Sequence, residues 1–313
     1  MLISVVGATG RVGAKLTRLL LSAGLRVRAL SRGGPALDAL VELGAEPFHG
    51  SFDTGTGDLD QFFRGADAAF LMVKTDWNNI AGHYPAVAQR FVDALERSSV
   101  KMAVSLTAMG SDVKGNTGHF ECFHELDEKL NELDNIDLVH LRAAWFMDDI
   151  SAWIGPVARY GRIAWFCKPD LKMPWVATDD IASLAATELA NPRGRHRVYL
   201  EVGSEDVSMN ELAVEIGKKI GKPVEYRYLE TTRKDVEAEF LARFGTPEKW
   251  RDDTLSADAM NNGIVRFHGE HGDRPKLPTT MEMFINDVWK PRYLEAVKAA
   301  EQRETFFMWA ARD

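Results

Sequence analysis

Gly7-Ala8-Thr9-Gly10-Arg11-Val12-Gly13 follows directly on the apolar run 2–6 and leads into an amphipathic stretch, 12–22. Three glycines alone say little, and their position decides the reading. Between a strand and a helix, the first allows a tight turn, the second a close approach of backbone to a pyrophosphate, and the third close packing of helix on strand. The helix then offers unpaired N–H groups and the positive end of its dipole to phosphate oxygens. A plain connecting turn would use glycines too, but strand, loop and helix stand here in the order that a dinucleotide-binding turn requires. Gly7, Thr9, Gly10, Arg11, Val12 and Gly13 are therefore cofactor-binding candidates.

Short apolar runs alternate with longer amphipathic ones through the first half of the chain. Strands are expected at 2–6, 25–30, 46–49, 68–72 and 102–106, a sixth at 136–141 and a later one at 197–202. Helices are expected at 12–22, 121–133, 209–220 and 281–290, and at 84–97, where Val87, Phe91, Val92 and Leu95 recur at helical spacing. Strand then helix, repeated, builds a sheet covered on both faces. The expected fold is α/β, a doubly wound parallel sheet with a smaller mixed C-terminal subdomain. The expected division is a dinucleotide-binding core over 1–150 and a mainly substrate-binding subdomain over 151–313, with a segment near 175–203 returning to the core.

The second strand ends in Ala29-Leu30-Ser31-Arg32-Gly33-Gly34, with no carboxylate before Asp38. An acidic side chain there would hold a ribose 2′-hydroxyl, whereas an arginine accommodates a 2′-phosphate. Ser31 and Arg32 thus point to NADP(H), although an exposed strand-end arginine also needs no ligand.

The 313 residues are 45% hydrophobic and 27% charged, which excludes a disordered chain. With 46 acidic and 38 basic residues the net charge is -8, so nothing draws a phosphate backbone, and no nucleic-acid partner is expected. Two cysteines, Cys122 and Cys167, make no disulfide framework and have no metal-ligand spacing with the histidines, so no metal is expected. No signal-peptide pattern or membrane-length apolar run is present, and a cytoplasmic protein is expected. A homodimer is the default assembly.

With Val27-Arg28-Ala29-Leu30-Ser31-Arg32, several later segments make the chain resemble the NmrA-like branch of atypical short-chain dehydrogenases. Phe70-Leu71-Met72-Val73 looks like the fourth-strand end that passes over the cofactor, which adds Met72 and Val73 to the cofactor candidates. Leu141-Arg142-Ala143-Ala144-Trp145-Phe146-Met147 resembles the family's LRP-x-x-F-M segment, and Val176-Ala177-Thr178-Asp179-Asp180-Ile181-Ala182 its V-x-x-x-D-I-A segment. Ser208-Met209-Asn210-Glu211-Leu212 and Pro278-Thr279-Thr280-Met281-Glu282-Met283-Phe284 are similar to two later elements. The resemblance covers most of residues 1–290 and implies a Rossmann fold that binds NAD(P). Thr178 to Asp180 and Ser208 with Glu211 are also plain helix-capping patterns.

Standard short-chain dehydrogenases carry Tyr-x-x-x-Lys on the helix after the fifth strand, the tyrosine handing a proton to a carbonyl oxygen. Here that region runs from His119 to Lys129 without such a pair, and His124 with Glu128 matches an H-x-x-x-E variant of quinone-reductase-like and dye-reductase-like members. An (i, i+4) spacing lets the carboxylate orient the imidazole and raise its pKa, although it is also an ordinary helix-stabilising pair. His124 and the strand-end hydroxyl of Thr107, with Ser105 beside it, are the catalytic candidates, and Thr107 is a cofactor candidate as well.

Loops beyond the carboxyl ends of the strands carry Trp77, Asn78, Trp145, Phe146 and Trp165 as substrate-binding candidates, with Asn79 or Lys74 as further polar anchors. Four of the eight tryptophans fall between 145 and 175, which suits a planar or bulky apolar substrate, or equally a core or an interface. The expected function is NADPH-dependent reduction of a conjugated small molecule (quinone, enone, imine, dye or natural-product intermediate), since a delocalised acceptor needs the missing pair least. The alternative is an NADP(H)-binding redox sensor that acts through a protein partner without turnover.

Overall fold

A computed structural model describes residues 1–53, 58–77, 79–192, 194, 196–244, 246–269 and 273–302. Chain contacts divide it into two compact units. Unit 1 comprises Met1–Ala143, Thr178–Val202 and Phe267–Pro275, and unit 2 comprises Ala144–Ala177, Gly203–Arg266 and the chain from Lys276 on.

Unit 1 is a Rossmann-like parallel sheet. Its strands are β1 (Leu2–Val5), β2 (Arg26–Ser31), β3 (Glu46–His49), β4 (Ala68–Met72), β5 (Met102–Ala108), β6 (Asp137–Ala143) and β7 (Arg197–Val202), in the order β7-β6-β5-β4-β1-β2-β3. The helices are α1 (Arg11–Ser22), α2 (Pro35–Val41), α3 (Leu59–Phe63), α4 (Ile80–Glu96), α5 (Glu121–Leu130) and α6 (Thr178–Ala190). Every residue of β1 is buried, as a strand covered on both faces requires, while the edge strand β3 is only partly covered. Helices α1 and α6 pack together, as do α3, α4 and α5. Phe62, Phe63, Tyr84 and Phe91 fill the core beneath the second group. Strand order reverses between β1 and β4, and such a switch point is where open α/β sheets bind ligands.

Unit 2 holds a small mixed sheet, in which Trp145–Phe146 lies parallel and Glu205–Val207 antiparallel to Met173–Val176. A parallel pair, Arg162–Trp165 with Glu225–Tyr228, accompanies it. Its helix Met209–Ile220 begins with the expected capping box, Ser208 Oγ accepting from Glu211 N and the Glu211 carboxylate from Ser208 N.

Element ends depart from the expected ones where tertiary contacts intervene. Strands β5 and β6 each run two residues further, because they stay in register through Thr107 with Arg142 and Ala108 with Ala143. Helix α5 stops at Leu130, and the Arg197 guanidinium takes the carbonyls of Asn131 and Leu133 at 2.9 and 2.6 Å just beyond it. Helix α4 starts a turn early, capped by Asn79 Oδ1 on Gly82 N. The segment expected as one helix over 281–290 contains a π turn, Ile285–Trp289, and helix continues to Gln302.

Beneath α5 lies a buried polar network that sequence reading did not anticipate. Asp127 Oδ1 stands 2.9 Å from His140 Nδ1, and Oδ2 receives Ser111 Oγ at 2.6 Å and Arg142 Nε and Nη2 at 3.3 Å each. His140 Nε2 meets Asn131 Oδ1 at 3.2 Å, Asn131 donates to the Tyr199 hydroxyl, and the Tyr199 ring stacks on His140 and under Arg142. Burial pushes the Asp127 carboxyl up, but the His140 charge and hydrogen bond, with Arg142 and Ser111, outweigh it and hold the carboxyl below its ordinary value. A folded-state pKa below the unfolded one means stability that is present above about pH 4 and lost as pH falls through the folded value. Asp127→Ala leaves Arg142 buried without its carboxylate, and is expected to cost about 3–5 kcal/mol in urea unfolding at pH 7. The gap to wild type should narrow below about pH 4; a gap indifferent to pH would assign the loss to packing.

Candidate functional site

The glycine loop joins β1 to α1 at the switch point of the sheet. Gly7 has φ +67°, and a Cβ on it would lie 2.5 Å from Met72 Sδ at the end of β4. At Gly13 a Cβ would lie 2.1 Å from the Gly7 carbonyl oxygen and 2.8 Å from its carbon, which no side chain tolerates. Gly10 N closes the turn on Gly7 O at 2.9 Å, and Gly10 then caps α1 with no side-chain hydrogen bond. Val12 is buried, whereas Gly10 and Arg11 are exposed. The turn leaves room over the first turn of α1, where backbone amides face outward.

Beside this loop, Thr9 Oγ1 lies 3.3 Å from Ser31 Oγ at the end of β2, and Ser31 Oγ also accepts from Gly33 N. Arg32 is exposed and has no ion pair among the described residues. The structure thus gathers Gly7, Thr9, Gly10, Gly13, Ser31 and Met72 around one turn, with Val73 buried just past β4.

At the end of β5, Thr107 is 3% exposed and its Oγ1 finds no hydrogen-bond partner among the described residues. Ser105, a strand position earlier on the same face, is spent: its Oγ sits 2.9 Å from His140 Nδ1 inside the buried network. The expected His124–Glu128 pair does not form. His124 Nδ1 lies 2.9 Å from the Ser111 carbonyl oxygen and donates to it, and Glu128 is exposed with no contact to the imidazole among the described residues. A carbonyl accepts only, so Nδ1 keeps its proton and Nε2 is the nitrogen open to exchange. Burial, and the charge of Glu121, push the Glu125 carboxyl up despite the opposing His124.

Trp77 is 43% exposed and meets the His119 ring edge-on at 6.0 Å. Asn78 lies outside the described residues. Asn79 is occupied as the α4 cap and the Lys74 carbonyl accepts from His83 Nε2, so neither Asn79 nor that carbonyl is an idle anchor.

Unit 2 brings the tryptophans into one chain of edge contacts. Trp145 meets Trp165 at 5.8 Å and Trp175 at 5.7 Å, and Trp153 meets Trp165 at 6.4 Å. Trp175 is fully buried and donates to Val207 O, which makes it core, while Trp145, Phe146 and Trp165 are half-buried. Trp145 donates Nε1 to Met260 Sδ at 3.2 Å.

Asp127, His140, Arg142 and Ser111 are the polar groups that sequence reading missed. A signal was present: His140 and Arg142 alternate with Val139 and Leu141 in a strand that is otherwise apolar after Asp137, so both point to one face and need a buried carboxylate. Asp127 stands three residues after His124 on α5, a spacing that gave no hint of which sheet residues it would meet.

An NAD(P)H azoreductase from Xenophilus azovorans is 24% identical over 268 residues, covering 83% of this chain and 85% of that protein. An NADPH-dependent quinone oxidoreductase from Escherichia coli, solved with NADPH, superposes with TM-score 0.75 at 18% identity, over 92% of this chain and 99% of that one. NmrA, a negative transcriptional regulator solved with NAD, superposes with TM-score 0.73 at 16% identity, over 94% and 97%. The NmrA-like family profile matches residues 1–285, nearly the whole described chain, and the protein belongs to that family.

Proposed function

We propose that this chain is an NADPH-dependent reductase that delivers hydride to a planar or bulky conjugated acceptor. The observation that carries it is the glycine turn with no space for a side chain at Gly13, set beside an exposed Arg32 that has no ion pair among the described residues. A dinucleotide fits the residues present. Gly7, Gly10, Arg11, Val12 and Gly13 offer backbone and helix N-terminus to a pyrophosphate, Thr9, Ser31 and Arg32 the polar edge for a 2′-phosphate, and Met72 and Val73 an apolar wall. The buried Thr107 hydroxyl, without a hydrogen-bond partner among the described residues, is a group that a ribose or carboxamide would satisfy. The similarity to an azoreductase and to a quinone oxidoreductase supports the same reading.

Bound NADPH supplies the hydride, and the protein's own work is to place the acceptor, exclude water and return a proton. His124 is the proposed proton donor: with Nδ1 held on Ser111 O, its imidazolium gives up the proton at Nε2 and returns to one defined tautomer. Trp77, Asn78, Trp145, Phe146 and Trp165 are the proposed substrate contacts. The likeness to a cofactor-bound transcriptional regulator supports a second reading, a sensor that binds NADP(H) and signals through a protein partner.

The deciding experiment follows NADPH oxidation by the purified protein against quinones, conjugated enones, cyclic imines and azo and polyaromatic dyes, with NADH in parallel. Acceptor-dependent turnover, faster with NADPH, is expected; tight NADPH binding with no turnover on any acceptor would favour the sensor. Arg32→Ala should weaken NADPH about ten- to hundredfold, the loss of a charged hydrogen bond worth about 1.5–3 kcal/mol, with little effect on NADH. Equal losses for both cofactors would remove Arg32 from the phosphate site. Thr107→Val removes a hydroxyl with no hydrogen-bond partner among the described residues, so unfolding should be unchanged while turnover falls. His124→Gln should lower kcat and flatten its pH profile at unchanged Tm, and a profile like wild type would exclude the imidazole as donor.

A further inference from the structure

Unit 2 contains, wholly within itself, a cavity of about 140 Å³. Trp153, Trp165, Phe166, Leu229 and Phe240 form its apolar walls, and the one charged side chain among its lining residues is Glu239. Cavities of about 150 Å³ with such walls accept a single benzene ring. The walls are held in place. Phe166 meets Phe240 at 5.9 Å and Trp250 at 5.6 Å, and the Tyr226 hydroxyl donates to the carbonyls of Trp165 and Cys167 at 2.9 and 2.6 Å. The aromatic faces that result are rich in π density, which attracts cations.

Charge at the rim points the same way. Glu239 lies on the helix Lys234–Phe244, where the two preceding acids are neutralised, Asp235 by Arg233 and Glu237 by Lys234. Glu239 itself has no ion pair among the described residues. The nearby ammonium of Lys249, 5.6 Å from the Phe240 ring, is already engaged by Asp253 at 2.6 Å. An apolar slot for one ring thus opens beside a carboxylate with no ion pair among the described residues.

We propose that this cavity is a binding site for a single aromatic ring bearing a protonated amine, the ring between Trp153, Trp165, Phe166 and Phe240 and the ammonium at Glu239. The cavity shares Trp165 with the proposed substrate contacts, but binding of the ring needs no cofactor and is tested without one, so its failure and that of the reductase reading are distinguishable. Glu239 is exposed and hydrated, so its contribution is a preference for charge, with the ring's burial supplying the binding itself.

Calorimetric titration of the whole protein without NADPH tests it, with phenethylamine as the cationic probe, 2-phenylethanol as the neutral one and 3-phenylpropionate as the anionic one. Phenethylamine is expected to bind about three- to tenfold more tightly than the alcohol, and the carboxylate most weakly. Glu239→Gln should bring the amine to the level of the alcohol and leave the alcohol unchanged. Ala152→Phe, at an exposed lining position that carries no core packing, should block all three. Equal affinity for the three probes, no amine binding, a preference that survives Glu239→Gln, or binding unaffected by Ala152→Phe in a normally folded protein would each overturn the proposal.

Discussion

Gly13 passes over the Gly7 carbonyl with no space for even one methyl group, and that close approach sets where α1 sits on β1. Any side chain there would have to push the helix off the strand, and with it the amides at the helix start that the proposed cofactor site uses. Lys15 on the next turn of α1 reaches Thr178 Oγ1 at 2.7 Å and pairs with Asp179, so the helix is held from α6 as well. The turn, the end of β2 and the end of β4 then converge because β1 is the central strand between β2 and β4.

A second constraint governs the other side of the switch point. Ser111, in the loop after β5, is gripped twice by α5: its hydroxyl donates to Asp127 and its carbonyl accepts from His124. The buried polar cluster of Asp127, His140 and Arg142 therefore does more than stabilise unit 1. It fixes the loop that fixes the tautomer of His124, which makes Asp127 a positioning residue for the proposed proton donor. Buried charge pairs of this kind are costly to break and modest in net worth, so their value here lies in defining geometry.

Unit 2 solves a different problem with aromatic side chains. Trp145, Trp153, Trp165 and Trp175 meet edge to face, the arrangement that ring quadrupoles favour, and together they span from a fully buried core to a half-open slot. One chain of contacts thus serves packing at Trp175 and leaves Trp153 and Trp165 lining a cavity.

Local periodicity carries the alternation of strand and helix, so β3, β4 and β7 and the helix Met209–Ile220 occur where apolar spacing puts them. The glycine turn was legible for the same reason, since its three glycines and the flanking elements lie within one short stretch. Side-chain partnership was not. His124 and Glu128 have the spacing of a helix pair, yet a backbone carbonyl thirteen residues away in sequence holds the imidazole. Ser105 and Thr107 look equivalent on one strand face, but His140 consumes the first hydroxyl and no described residue hydrogen-bonds the second. Helix and strand period follow from near neighbours along the chain, whereas the competition of several donors for one buried acceptor is settled only when distant segments meet. By itself the sequence determined the α/β alternation and the glycine turn, and tertiary structure alone decided which polar groups were consumed by distant partners.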